Sequence, residues 1–107
     1  MAAGRRRVSE VPAPIHLEMG YTTDEFASVL PLAMRDWRVT GRSPGWTVID
    51  GDGEMLAEIT IAPRPERALG ALRLPVLQVQ IRFHTTLVAK AAELQRRFER
   101  GFQRGGG

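Results

Sequence analysis

The stretch LPVLQVQIRFH, residues 74–84, alternates almost without a fault. Leu77, Val79, Ile81 and Phe83 fall on one side of an extended chain, and Gln78, Gln80, Arg82 and His84 fall on the other, because successive side chains of a strand point to opposite faces. A one-residue slip in register would turn all four polar groups into the core, at about 1–3 kcal/mol for each one left unpaired. The stretch therefore predicts a strand with its apolar side covered and its polar side open, as is common in antiparallel sheets.

The residues downstream supply a cover. In TTLVAKAAELQRRFERGF, residues 85–102, Leu87, Ala91, Leu94, Phe98 and Phe102 recur at helical spacing while Lys90, Glu93, Arg96, Arg97 and Arg100 take the other sides. This is an amphipathic helix, with Thr85 or Thr86 as the expected cap and Glu93 placed to pair with Arg97 one turn on. Upstream, IHLEMGY at 15–21 alternates as a half-buried strand. TTDEFASVLPLAMRDW then predicts a helix from about Asp24 to Asp36, with a kink or break at Pro31 where a hydrogen bond is lost.

WRVTG, GWTVID and EMLAEITIA are short alternating runs separated by RSP and GDG, and read as consecutive antiparallel strands. PRPERALGALR, residues 63–73, is read as a long connecting loop, with Pro65 and Glu66 able to open a short helix. Pro75 implies that the last strand either starts after it or has a free edge there. The order is β-α-β-β-β-β-α. The expected fold class is α+β, two-layer, an antiparallel sheet of four to five strands with two helices on one face. Its expected core sets Leu17, Met19, Ile59, Ile61, Leu77, Val79, Ile81 and Phe83 against Phe26, Leu30, Leu94 and Phe98. Residues 1–14 are expected to form a disordered basic tail, 15–104 a single domain, and 105–107 a disordered glycine tail.

At 107 residues the chain is long enough for one modest core, and its longest apolar runs fall short of the roughly 18–20 residues of a membrane span. No membrane association is expected. Cysteine is absent, which removes disulfides, thiolate metal sites and thiol nucleophiles. GRRRV near the start is not followed by the apolar stretch of an export signal, so the expected compartment is the cytoplasm. Residues 1–7 carry +3 and residues 96–107 carry +3, so the body between them carries −3 and is slightly acidic.

The open face of the sheet is the chemically rich surface. It is expected to show Gln78, Gln80, Arg82 and His84 beside Glu58, Thr60, His16 and Glu18, and the 63–73 segment adds Arg64, Arg67 and Arg73. His16, Glu18 and His84 are acceptable metal ligands if the first and last strands bring them together, but no metal and no cofactor are expected. DGDGE at 50–54 lacks the glycine and the distal glutamate of a calcium loop and reads as a turn. No phosphate loop, dinucleotide fingerprint or nucleophile elbow is present, and no catalytic residue is assigned.

The leading functional expectation is a small binding or accessory module that acts by protein contact through the open face and the 63–73 segment. The alternative is a nucleic-acid or anion binder that uses the arginine-rich ends, against which the acidic body speaks. A third reading is a small enzyme or ligand carrier with a pocket near Pro31, Trp37 and Trp46. In element order the chain is similar to one half of a TATA-box-binding saddle. No motif residues match, and the open face lacks the phenylalanines that wedge between bases, so this likeness carries no function.

Overall fold

A computed structural model describes residues 10–103; residues 1–9 of the tail expected at 1–14, and the tail expected at 105–107, lie outside them. The elements are β1 (Ile15–Met19), α1 (Thr23–Met34), β2 (Arg38–Arg42), β3 (Gly45–Ile49), β4 (Met55–Leu69), β5 (Leu72–Phe83) and α2 (Val88–Gly101). All five strands form one antiparallel sheet in the order β1-β5-β4-β3-β2, with the two helices packed over its apolar side. The fold is therefore the two-layer α+β arrangement that the alternation of β5 requires. No helix among the described residues is long and apolar enough to cross a membrane.

Leu77, Val79, Ile81 and Phe83 are all buried, as are Ile59 and Ile61 on β4 and Trp46 and Val48 on β3. Above them Phe26, Trp46, Phe98 and Phe102 form one aromatic group, with ring centres 4.8 Å apart for Phe26 and Phe102 and 4.6 Å for Phe98 and Phe102. Leu17 and Met19 differ from expectation: Leu17 is 36% exposed and Met19 is half-buried. Both lie on β1, which is an edge strand, so only one flank of each is covered. Leu56 and Ala57 are buried side by side because a bulge opposite Val48 and Ile49 inserts one extra residue.

Helix α1 starts with a reciprocal capping box, in which Glu25 N–H donates to Thr22 Oγ1 and Thr22 N–H donates to Glu25 Oε1. It runs through Pro31 as one helix rather than breaking there. Pro31 lies on the exposed side, and the burial of Phe26, Leu30, Ala33 and Met34 offsets the lost hydrogen bond. The helix ends at Arg35, whose φ of 60° reverses the chain. Helix α2 begins later than expected, after Leu87 as N-cap; Thr85 is buried just upstream and accepts a hydrogen bond from Leu87 N–H.

The two helices approach closely where Gly101 meets Ala33. A Cβ on Gly101 would lie 2.8 Å from Ala33 Cα, inside any real contact. Arg97 clasps the same junction. Its guanidinium lies 3.9 Å from the centre of the Trp37 ring and donates to Met34 O at 2.6 Å, Asp36 Oδ1 at 2.9 Å and Glu93 Oε2 at 2.9 Å. The side chain is only 15% exposed, so Arg97 is not the solvated surface cation its helical position implied.

Three changes check this packing in urea melts. Phe98→Ala should cost about 3–5 kcal/mol. Arg97→Ala should cost about 1.5–3 kcal/mol, the range of hydrogen bonds to a charged group. Gly101→Ala should destabilise although alanine is the better helix former by about 1 kcal/mol, and a stabilised Gly101→Ala would show that the helices have room to spare.

Candidate functional site: an open sheet face and a projecting arm

Directly opposed residues of an antiparallel pair share a face, so the register maps the open side of the sheet. His16, Gln80 and Thr60 form one row across β1, β5 and β4, and Glu18 and Gln78 form the next. Arg82, Glu58, Thr47 and Thr40 form a third row across β5, β4, β3 and β2. Gln78, Arg82 and His84 are exposed and Gln80 is half-buried, which agrees with the predicted outward phase. Glu58 binds its neighbours, accepting from Arg82 at 2.8 Å and lying 3.2 Å from His84 Nε2. Arg82 first and His84 second hold its carboxyl below the usual carboxylate range.

The segment 63–73 is not a loop and contains no short helix. It is the far half of a hairpin in which β4 and β5 run on beyond the rest of the sheet, pairing as far as Leu69 with Leu72. Gly70, at φ 62°, takes the first of two turn positions, where a type II′ hairpin favours glycine. LGAL was the sequence signal for this turn, and the prolines and arginines on either side hid it. β1 pairs with β5 only as far as Leu77, and β3 pairs with β4 only as far as Thr60. Pro63, Pro65 and Pro75 therefore sit on strands with a free flank, where a missing N–H is tolerated. The arm contributes to the long axis of the molecule, 59 Å against 30 and 26 Å.

Within the arm, one extra residue between Arg64 and Arg67 makes a bulge, which brings both arginines onto the open face opposite Val76 and Leu74. Arg67 reaches Glu18 at 3.1 Å and joins the arm to β1. Arg73 falls on the other face, 3.9 Å from Glu66, and is separated from the remaining candidates. Leu69, Leu72 and Leu74 continue the open-face row toward the tip and are 62%, 61% and 38% exposed. Among the described residues Leu69 and Leu72 cover no part of the sheet.

No protein-family model, curated protein or solved structure matches this chain.

His16, Glu18 and His84 do not converge: His16 stands opposite Gln80, four residues from His84, and among the described residues no group of three His, Asp or Glu side chains could hold a metal ion. Trp46 is buried against Phe26 and Trp37 carries the Arg97 guanidinium, so both tryptophans pack.

No residue pattern announces the cluster at the β3–β4 turn. Asp50 Oδ1 accepts from the N–H groups of Asp52 and Glu54, each at 2.9 Å, and its other oxygen accepts from Lys90 of α2. Lys90 also meets Glu54 at 3.0 Å and Asp52 at 3.6 Å. The Lys90 hydrogen bond is the main cause that holds Asp50 below the usual carboxylate range; Thr85 and then Lys90 do the same for Glu54. The carboxylates in turn raise Lys90 above the usual lysine range.

Asp50 and Glu54, with lowered values, stabilise the fold above about pH 4 and lose that contribution as pH falls through their folded values. Lys90, with a raised value, contributes below about pH 10.4 and loses its contribution only at still higher pH. Lys90→Met should therefore melt below the wild type at pH 7, and the gap should close on acidification as the carboxylates protonate. A gap that stays constant from pH 7 to 3 would remove the cluster from the account of stability.

Proposed function

We propose that the protein is a binding module that acts by protein contact, with the open sheet face and the β4–β5 arm as its working surface. The observation that carries this reading is the row of Leu69, Leu72 and Leu74 on the arm. A two-stranded ribbon without a core cannot bury these side chains itself, and an apolar row bordered by Arg64, Arg67 and Gln78 has the make-up of an interface centre with a polar rim. The remaining face offers reversible hydrogen-bonding groups.

The test is Leu69→Ser/Leu72→Ser/Leu74→Ser. Because these side chains cover nothing in the described fold, the melting temperature should stay within a few degrees of wild type. A partner recovered from the native host with the wild-type chain, then purified and titrated back, should bind the variant at least about tenfold more weakly. Unchanged affinity would place recognition elsewhere. Gln78→Ser/Gln80→Ser/Arg82→Ser should likewise leave folding intact and locates any contribution of the sheet face itself.

A second reading, an anion or nucleic-acid surface, has one observation in its favour. Tertiary structure sorts charge by face: among the described strand residues Arg38, Arg42, Arg64, Arg67 and Arg82 share the open side with Glu18 and Glu58. Arg38, Arg42 and Arg64 have no ion-pair partner among the described residues. The acidity of the body as a segment therefore does not describe this face. Arg96 and Arg97, expected to serve this role from the end of the chain, are instead paired with Glu93. If this reading holds, Arg38→Gln/Arg42→Gln should weaken binding of a short oligonucleotide uniformly across sequences and lower its salt dependence by about two charges.

A further inference from the structure

Of the two edge strands, β1 and β2, β1 is the regular one. It pairs residue for residue with β5 from Ile15 opposite Ile81 to Met19 opposite Leu77, with no bulge, proline or glycine. Among the described residues nothing pairs with its outer flank. The other free flanks are guarded. Gly41, at φ 100°, interrupts the extended run of β2, while Pro63, Pro65 and Pro75 interrupt the donors along the arm.

On the helix side, the edge at β1 is apolar. Ile15, Leu17 and Met19 line a groove of about 220 Å³ whose far wall is Phe98 of α2 and Phe102 just past its end, with Gln95 and Glu99 at its rim. Leu17, which a second neighbouring strand would cover, lies open along it.

The sequence of this edge, IHLEM, complements itself when read antiparallel about its centre. With Leu17 opposite Leu17 of a second copy, Ile15 meets Met19 and His16 meets Glu18, twice by symmetry. The apolar pairs then fall on the helix side and the polar pairs on the open face. Neighbouring registers fail. Shifting by two residues sets His16 against His16 or Glu18 against Glu18, and shifting by one sets apolar residues beside polar ones and throws the helices of the two copies onto opposite faces.

We propose that a second copy of this chain adds to β1, antiparallel, with the two-fold axis at Leu17. The two sheets become one of ten strands with a continuous open face, and the groove beside α2 receives Leu17 of the second copy. Each arm follows its own β5, and the two arms project in opposite directions. The shared edge is isologous, as a closed dimer requires. The inference rests on the outer flank of β1, whose His16 and Glu18 also border the open face; the arm leucines lie away from this edge.

The chain contains no cysteine, so a single engineered thiol reports on one place only. Light scattering should give twice the chain mass for the wild type. Leu17→Cys should form a disulfide-linked dimer on mild oxidation, because directly opposed Cβ atoms lie about 4.5–5.5 Å apart, whereas Val88→Cys, exposed at the start of α2, should not. His16→Glu, on an exposed side chain, should weaken dimerisation about tenfold or more by opposing like charges. Adding Glu18→Arg, which also gives up the exposed Arg67 brace, should restore it by setting Glu against Arg. A wild type that is monomeric at every concentration overturns the proposal. So does a dimer that is indifferent to His16→Glu, or one that is linked by Leu69→Cys at the arm tip and not by Leu17→Cys.

Discussion

The constraint on which the rest of the structure depends is the phase of β5. Its odd-numbered residues from Leu77 to Phe83 are buried beneath the helices, and this one choice sends Gln78, Gln80, Arg82 and His84 outward together. β5 lies between β1 and β4, so its phase also fixes which residues of both neighbours face the core. A displacement of one residue would unmake both faces, since the period of a strand is two.

The helices are held to this sheet by contacts of different kinds. The aromatic group of Phe26, Phe98 and Phe102 is large and non-directional, and it tolerates small shifts. The meeting of Gly101 with Ala33 and the fan of hydrogen bonds from Arg97 are short-ranged and directional, and they set where one helix lies along the other. At the opposite end Lys90 ties α2 to the β3–β4 turn through Asp50 and Glu54. The Tyr21 hydroxyl closes the circuit by donating to Phe102 O at 2.6 Å, which fixes the β1–α1 connection to the end of α2.

The arm obeys a different economy. Residues 62–74 are exposed, and the ribbon is held by its ladder, by the Gly70 turn and by a brace from Arg67 to Glu18. A two-stranded ribbon of this kind is marginal by itself, so its register depends on continuity with the buried part of β4 and β5. This couples a packed body to an extension without a core of its own that carries the leucine row.

Much of this is legible in the residue pattern. Alternation specified β5 and the outward set from Gln78 to His84, because burial enforces a period of two. Helical spacing specified α2 and the burial of Phe98, and a single strong pattern sufficed for the two-layer class. The features that depend on distant partners are not legible there. Leu17 has the same local pattern as Val79 and stays half open because β1 lies at an edge. Residues 63–73 look like a loop because prolines and arginines break the apolar signal, and extend as strand because β4 and β5 are already in register below them. Arg97 has the pattern of a surface residue and is nearly covered, because Trp37 and the end of α1 lie 60 or more residues earlier in the chain. Charge divided by segment made the body acidic, whereas charge divided by face makes the open side basic. Local patterns record what each residue needs from water, and only the assembled chain decides which neighbours exclude it.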